Sequence, residues 1–174
     1  MKPAPVPVLY LDLDGTVRKC QEDGIGFVNS VDDVVVYPGV AEKLAVYKRV
    51  GWRIVGITNQ GGVAMGFMSY ETLRETLMET QRQTGNAFDN IMVCVHHPDA
   101  KEKEMAVCWC RKPRIGLIVE AAIKLGKVYN EYYPPHMALF VGDRPEDREC
   151  ASNAGIAFMD AKEWRCSEFP NDLV

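Results

Sequence analysis

The chain has 174 residues, of which 47% are hydrophobic and 25% charged, and these are ordinary values for one globular domain with its own core. Its formal net charge is −4, so the overall charge gives no support to a general nucleic-acid-binding role. Two local basic spots, Arg18 with Lys19 and residues 111–114, remain candidate anion sites.

Nothing in the sequence indicates a membrane segment or a secretion signal. No apolar run approaches the roughly 20 residues of a membrane helix. Prolines interrupt residues 1–5 and a predicted strand follows at once, which is unlike a signal peptide. We therefore expect a cytoplasmic protein, taken as a monomer, whose six cysteines are thiols or metal ligands rather than disulfides.

Short apolar segments predict β-strands, and segments with helical spacing alternate with them. Residues 17–37 are rich in turn formers and predict a flap or irregular hairpin. The alternation indicates an α/β fold, a parallel sheet flanked by helices, in one domain over residues 1–174. The predicted strands are residues 8–13, 52–57, 90–95, 137–141 and 156–159. The predicted helices are residues 38–50, 69–84, 115–125 and 145–154, with the third ended by Gly126.

Polar side chains follow the predicted strands at the points where they end. Asp12 and Asp14 end the first strand, Thr58 ends the second and Asp143 ends the fourth. Lys112 follows the long loop after the third strand. Because ligands bind such sheets at the carboxyl ends of the strands, we expect these side chains to meet at one edge.

Asp12 and Asp14 are two residues apart, so they face the same side of an extended chain, and Gly15 then allows a tight turn. One carboxylate of such a pair can act as a nucleophile while the other carries a proton as a general acid. A plain Asp-Gly turn, in which both carboxylates only accept hydrogen bonds from backbone amides, also fits this short pattern. Attack on a phosphate dianion would need cations, because each like-charge pair costs roughly 4 kcal/mol at 4 Å and an effective dielectric of 20.

Four short motifs resemble, in the same order, those of the haloacid dehalogenase superfamily. They are residues 12–17 (DLDGTV), 57–60 (ITNQ), 111–113 (RKP) and 142–147 (GDRPED). The resemblance implies a Rossmann-like core and a magnesium-dependent phosphatase that works through an aspartyl-phosphate intermediate. A response-regulator receiver also has a phosphoryl-accepting Asp, but that acceptor follows a middle strand, whereas Asp12 follows the first. A binding module with a dead site would be expected to lose Asp12 or Asp14.

The resemblance gives a role to each residue of the cluster. Asp12 is the expected nucleophile, and Asp14 is the expected general acid and base. Thr58 and Lys112 are expected to bind and neutralise the phosphate. Asp147 is left open between a metal contact, direct or through water, and an ion pair with a neighbouring arginine. The expected Mg²⁺ ligands are Asp12, Asp14 through its carbonyl, and Asp143. The expected substrate-binding residues are Asn59, Gln60, Gly61, Arg111 and Arg144.

A long polar loop carries a second candidate metal site. Cys94, His96, Cys108 and Cys110 bracket this loop, and three thiolates with one imidazole suit a closed structural Zn²⁺ site. From the spacing alone, free cytosolic thiols explain the pattern equally well. The segment also resembles the zinc loop of bacterial heptose-bisphosphate phosphatases, which implies structural zinc and makes the first histidine, rather than His97, the ligand.

The same resemblance bears on the substrate. No insertion in the sequence is large enough for a separate cap domain, so the flap and the zinc loop must shape the entrance. An arginine matching Arg111 contacts substrate in the heptose phosphatases, and Arg144 lies at a neighbouring position. These charges suit a small phosphorylated sugar such as heptose 1,7-bisphosphate. Leu13 departs from the pattern, where an arginine is common, so a DNA 3′-end phosphatase and a histidinol-phosphate phosphatase stay as alternatives.

Overall fold

A five-stranded parallel sheet forms the centre of the fold. The computed structural model describes residues 3–20 and 27–168, so residues 21–26 of the predicted flap and both ends of the predicted domain lie outside the described residues. The central sheet has the strand order β6-β5-β2-β8-β9, and neighbouring strands run parallel. The strands are β1 (Ala4–Pro5), β2 (Val8–Leu11), β3 (Arg18–Cys20), β4 (Val34–Val36), β5 (Arg53–Asn59), β6 (Asn90–Cys94), β7 (Glu131–Tyr132), β8 (Ala138–Gly142) and β9 (Ala157–Asp160).

Helices follow the strands of the sheet and cover it. Ser69 caps the second helix, because its side chain accepts a hydrogen bond from the Thr72 amide. Within the described part of the chain, no helix is long and apolar enough to cross a membrane. The helices are α1 (Val40–Arg49), α2 (Tyr70–Gln83), α3 (Lys103–Ala106), α4 (Gly116–Tyr129), α5 (Pro145–Ala154) and α6 (Ala161–Cys166), with a short 3-10 helix at Pro135–Met137.

The sheet is buried on both faces, as expected for a parallel sheet. Side chains alternate along β2, so Val8 and Tyr10 belong to one core cluster and Leu9 and Leu11 to the other. The first cluster includes residues of α4 and α5, and the second includes residues of α1 and α6. The α/β fold with a parallel sheet flanked by helices is therefore confirmed.

Two of the predicted boundaries that differ from the structure have a clear physical cause. The first strand ends at Leu11 rather than residue 13, because a tight turn begins at Leu13. The Leu13 carbonyl accepts hydrogen bonds from the amides of Thr16, Val17 and Arg18. The third predicted helix does not stop at Gly126. Helix α4 continues to Tyr129 and ends at Asn130, which has a left-handed φ of 54° and donates its amide to the Gly126 carbonyl.

Strands near the two ends of the predicted flap pair with each other as in a hairpin. Strands β3 and β4 pair antiparallel, with Arg18 opposite Val36. Gln83 of α2 covers the edge of β4, because its side chain donates to the Val34 carbonyl and accepts from the Val36 amide. The other long connection, residues 95–110, contains the one-turn helix α3. Neither segment forms a large cap among the described residues.

Candidate active site

The carboxyl ends of the central strands open into a cavity of about 270 Å³. The sequence placed the reactive groups at this edge, and the structure brings side chains from four separate segments to it. The predicted catalytic and substrate-binding residues that line the cavity are Asp12, Asp14, Thr58, Asn59, Gln60, Gly61, Arg111, Lys112 and Arg144.

A buried lysine lies between two carboxylates at the floor of this cavity. Lys112 Nζ lies 2.5 Å from Asp12 Oδ1 and 2.6 Å from Asp147 Oδ1. It also donates to the Ile57 carbonyl at 2.9 Å, which ties it to the end of β5. Lys112, Asp12 and Asp147 are all buried. Its burial excludes the alternative that Lys112 is an ordinary surface lysine.

The electrostatics of this cluster favour an added cation. Burial raises the pKa of Asp12 to about 7; Lys112 opposes that rise and Asp147 adds to it. Burial lowers the pKa of Lys112, but its ion pairs with Asp12 and Asp147 outweigh this effect and leave the pKa above its usual range. Burial and the nearby Asp147 also raise the pKa of Asp143. Three acids thus lie close to one ammonium group, and an added cation would stabilise their ionised forms.

The same three acids form a geometric metal site. Carboxylate oxygens of Asp12, Asp143 and Asp147 all lie within 4.8 Å of one another. Mg²⁺ is commonly held by a few carboxylates together with waters and phosphate oxygens, so this donor set fits it. Asp147 was left open by the sequence, and the structure puts its carboxylate in this group. The Asp14 side chain is not part of this group.

Asp14 has hydrogen-bond donors on both carboxylate oxygens. Arg18 Nε donates to Oδ1 at 2.7 Å, and Gln60 Nε2 donates to Oδ2 at 2.7 Å. The same Gln60 nitrogen lies 2.8 Å from Thr58 Oγ1, so the end of β5 is linked to the turn after β2. Gln60 was predicted to bind substrate; it lines the cavity, and its side chain is engaged with Asp14 and Thr58.

Asn59 also has a structural partner. Its Oδ1 accepts from the Lys112 amide at 3.0 Å, and its Nδ2 donates to the Lys112 carbonyl at 3.3 Å. These two bonds fix the backbone that carries Lys112 against the end of β5. Asn59 lines the cavity as predicted, but its side-chain amide is occupied by this bridge.

The predicted zinc residues converge on one point. The Cys94 sulfur lies 3.2 Å from the Cys110 sulfur and 3.7 Å from the Cys108 sulfur. His96 Nδ1 lies 3.6 Å from the Cys94 sulfur and 3.4 Å from the Cys110 sulfur. Four ligands about 2.1 to 2.3 Å from a central Zn²⁺ stand roughly 3.5 to 3.8 Å apart in a tetrahedron, so the donor set fits this ion.

The thiols of this cluster differ in their electrostatics. Burial raises the pKa values of Cys94 and Cys110, so as bare groups both would be protonated at neutral pH. For Cys108 burial is outweighed by donors that include the Arg111 amide, and its pKa is lowered. A bound cation would displace the remaining protons.

The zinc-site loop holds Arg111 beside the cavity. Arg111 Nη1 donates to the His96 carbonyl at 3.0 Å. Gly61 packs under this contact, since a Cβ there would lie 2.7 Å from His97 Cδ2 and 3.2 Å from Arg111 Nη1. On the opposite side, the Arg144 guanidinium lies 4.8 Å from the centre of the Phe27 ring. Both predicted substrate arginines therefore line the cavity from different loops.

Sequence reasoning missed two arginines that support this site. Arg18 was a candidate anion site, and this is wrong because its side chain is fully buried against Asp14. Arg165 of α6 donates from Nη1 to the carbonyls of Gly15 and Thr16, each at 2.8 Å, and so fixes the turn after β2. Arg165 has no local signal, because its partners lie about 150 positions away.

Comparisons with known proteins identify the family of this chain. The sequence profile of the family described as Polynucleotide kinase 3 phosphatase matches residues 7–164. A D-glycero-beta-D-manno-heptose-1,7-bisphosphate 7-phosphatase of Photorhabdus laumondii is 32% identical over 155 residues, which cover 87% of this chain and 77% of that protein.

Two solved structures have the same fold. The D,D-heptose 1,7-bisphosphate phosphatase from B. bronchiseptica, complexed with magnesium and phosphate, gives a TM-score of 0.70 at 28% identity and covers 88% of this chain and 79% of its own. A HAD-like phosphatase from Mesorhizobium loti gives a TM-score of 0.76 at 25% identity, with 89% of this chain and 71% of its own covered. The chain therefore belongs to the Polynucleotide kinase 3 phosphatase family and is a phosphatase of the haloacid dehalogenase superfamily.

Proposed function

We propose that this phosphatase hydrolyses a small phosphorylated sugar, with Mg²⁺ and through an aspartyl-phosphate intermediate on Asp12. The observation that carries the proposal is the buried contact of Lys112 with Asp12 at the floor of a cavity that Asp14 also lines. A buried carboxylate with a fixed cation beside it and a second carboxylate two residues away suits nucleophilic attack on phosphorus.

In the proposed reaction, an Asp12 oxygen attacks phosphorus and forms the acyl-phosphate bond while the bond from phosphorus to the leaving oxygen breaks. Asp14 gives its proton to that oxygen, and the alcohol departs. A water molecule then attacks the phosphorus of the intermediate, and Asp14 takes up a proton from it. Inorganic phosphate leaves and the Asp12 carboxylate is restored. Lys112 and the Thr58 hydroxyl would stabilise the charge on the phosphoryl oxygens.

Each metal has a separate proposed task. Mg²⁺ would be held by Asp12, Asp143 and the Asp14 carbonyl, with Asp147 beside them, and it would neutralise charge on the transferring phosphoryl group. Zn²⁺ on Cys94, His96, Cys108 and Cys110 would be structural, since all four ligands come from the protein. It would hold the loop from which Arg111 and Lys112 follow directly.

We propose a sugar bisphosphate such as heptose 1,7-bisphosphate as the substrate. The relatives named above act on that compound by their names, and the cavity suits a small molecule. Arg111 and Arg144 line it in addition to Lys112 and can meet a second phosphate. Gly61 and the neighbouring backbone amides would bind the phosphoryl group that reacts. Histidinol phosphate has one phosphate, so it uses fewer of these charges.

A second candidate is a nucleic-acid 3′ end. Phe27 and Phe67 line the same cavity and are 55% and 74% exposed, and exposed aromatic rings can stack on a terminal base. The name of the matching family points in the same direction. The net charge of −4 favours the sugar phosphate, because it gives little attraction for a polyanion.

We also propose that the protein is a cytoplasmic monomer. The cysteines of the candidate zinc site are free thiols in the structure, and a site of free thiols needs a reducing compartment. Size-exclusion chromatography with light scattering checks the oligomeric state.

A substrate panel tests the proposal directly. Purified protein is assayed with Mg²⁺ on heptose 1,7-bisphosphate, histidinol phosphate, mononucleotides and 3′-phosphorylated DNA, with EDTA as the control. The expected result is Mg²⁺-dependent release of phosphate with the highest kcat/KM on the bisphosphate. Asp12→Asn is expected to abolish turnover while the circular dichroism spectrum stays unchanged. A preference for DNA ends would replace the sugar with the second candidate, and substantial turnover by Asp12→Asn would refute the nucleophile.

A further inference from the structure

The candidate general acid is tied to a buried arginine that the reaction outlined above does not use. The Arg18 side chain has no exposed surface, and its Nε donates to Asp14 Oδ1 at 2.7 Å. Asp14 itself keeps 12% of its side chain exposed and lines the cavity. The ion pair therefore joins the protein interior to the wall of the active site.

Helix α2 holds the far end of Arg18. Its Nη1 donates to the Thr80 hydroxyl at 2.7 Å and to the Thr76 carbonyl at 3.1 Å. Thr76 and Thr80 are themselves fully buried. Among the residues that the structure describes, Arg18 Nη2 has no hydrogen-bond partner. A buried guanidinium with an unpaired donor costs stability, so a purely structural role explains its presence poorly.

The two oxygens of Asp14 have partners of different kinds. Arg18 can only donate hydrogen bonds, so Oδ1 beside it can act only as an acceptor. Gln60, at 2.7 Å from Oδ2, has an amide that can either donate or, when turned over, accept. Oδ1 is thus held by the buried guanidinium, whereas Oδ2 has the partner that can exchange its donor for an acceptor.

We infer that Arg18 is a positioning residue: it fixes Asp14 through Oδ1 so that Oδ2 carries the proton to the leaving oxygen. This inference rests on the proposed function, in which Asp14 is the general acid. The Arg18 contacts with Thr76 and Thr80 make helix α2 the support of that geometry. Arg18 touches no reacting atom, and its effect reaches the substrate only through Asp14.

The inference predicts a dependence on the leaving group. An alkyl phosphate needs protonation of its departing oxygen, whereas p-nitrophenolate leaves without it. Arg18→Met should therefore slow the first turnover of an alkyl phosphate by about tenfold to a hundredfold, a part of the usual contribution of a general acid. The first-turnover release of p-nitrophenolate should change by less than about threefold, since Asp12 and Lys112 are untouched. Arg18→Lys, which keeps the charge, should recover part of the loss.

Stopped-flow or quench-flow measurement of the first-turnover rates of both esters with Mg²⁺ tests the inference. The wild-type rates test the proposed function alone: a wild type that hydrolyses neither ester removes that function and this inference with it. With an active wild type, a folded Arg18→Met that slows both esters equally, or neither, removes only the role of Arg18. Circular dichroism and the melting temperature establish that the variant is folded.

A pair of threonine variants gives an independent test if Arg18→Met does not fold. Thr80→Val removes the hydroxyl that accepts from Arg18 and keeps the side-chain volume. Thr84→Val is the matched control, because Thr84 is also buried near the end of α2, and among the described residues its hydroxyl donates to the carbonyls of Thr80 and Gln81 rather than accepting from Arg18. Thr80→Val should slow the alkyl ester selectively by about threefold, in line with a small misplacement of the acid. Equal behaviour of the two variants would overturn the inference.

Discussion

Gly15 lies so close to Asp143 that no side chain fits between them: an ideal Cβ on Gly15 would stand 2.2 Å from Asp143 Oδ2. The turn after β2 thus packs against the end of β8 at a position where the chain has no side chain. Gly15 also has a φ of 88°, which favours glycine. The contact lets the carboxylates of Asp12 and Asp143 share one small space.

Gly15→Ala should therefore damage the candidate magnesium site more than the fold. The added methyl group must push the Asp143 carboxylate away, and displaced metal ligands typically cost about 10- to 100-fold in affinity or activity. We expect a higher Mg²⁺ requirement and a lower kcat, measured by Mg²⁺ titration of phosphate release.

Gly39→Ala is the control for backbone strain. Gly39 has a similar φ of 78°, but nothing lies within 4 Å of its ideal Cβ. It should lose about 1 to 2 kcal/mol of unfolding free energy, the cost of a left-handed non-glycine residue, and keep its Mg²⁺ titration. Equal Mg²⁺ titrations for Gly15→Ala and wild type would contradict the importance of the close approach.

Gly61 gives a prediction about substrate binding rather than chemistry. Its ideal Cβ would lie 2.7 Å from His97 Cδ2 and 3.2 Å from Arg111 Nη1, so Gly61→Ala must move the wall that carries Arg111. We expect KM for a bisphosphate to rise by about tenfold, with kcat much less affected.

Gly62 is the neighbouring control, because its ideal Cβ meets no atom closer than 3.8 Å. Gly62 also lines the cavity, but its added methyl group displaces no neighbouring side chain, so Gly62→Ala should keep KM within about twofold of wild type. Steady-state kinetics on both variants decide the matter. A Gly61→Ala variant that loses kcat and keeps KM would show that this loop acts on the chemistry instead.

Local sequence patterns predicted the reactive side chains better than the residues that hold them in place. Asp12 and Asp14 follow a recognisable strand, and the ordered motifs pointed to Lys112. Arg18 looks like a solvated basic residue in the sequence, because its burial depends on Thr80, 62 positions away. Spacing alone left the cysteines undecided, since only folding brings Cys94 within 3.2 Å of Cys110. Contacts between distant segments are not encoded in local periodicity.

The boundaries of the helices show the same limit of prediction from local sequence. Gly126 predicts a helix end by its intrinsic preference, yet α4 runs past it for three residues. Asn130 provides the left-handed end instead, and a Cβ on Gly126 would come 3.0 Å from the Glu131 carbonyl. The glycine thus serves the close return of the chain, which a local rule does not foresee.

Removal of one cysteine tests the zinc site. Cys108→Ser should lower the zinc content from about one ion per chain to near zero and reduce the melting temperature, because binding energy at a structural site stabilises the fold. Turnover should fall as well, since Lys112 follows the loop directly. Cys166→Ser, at an exposed thiol outside the cluster, is the control and should keep its zinc. Wild-type protein that is free of zinc and equally stable would refute the site.

A partly buried ion pair between Arg53 and Glu131 predicts how the stability of the fold depends on pH. Arg53 donates to both oxygens of Glu131, with Nε to Oε2 at 2.9 Å and Nη2 to Oε1 at 2.8 Å. The Tyr133 hydroxyl donates to Oε2 at 2.9 Å. Hydrogen bonds from Arg53, with a smaller contribution from Tyr133, hold the pKa of Glu131 below its usual 4.5, although partial burial opposes this. The pair joins β5 to β7.

A lowered pKa fixes the sign of the effect. The folded state binds the proton less readily than the unfolded state, so the pair adds its full stability above pH 4.5 and loses it as the pH falls through the lowered value. Glu131→Gln should therefore cost about 1 kcal/mol of unfolding free energy at pH 7. Urea unfolding from pH 7 to pH 3 should show the two proteins converging at the acid end. Glu71→Gln, in the exposed pair of Glu71 with Arg74, should stay within about 0.5 kcal/mol of wild type throughout. A Glu131→Gln deficit that stays constant down to pH 3 would mean that the ionic contact is not its cause.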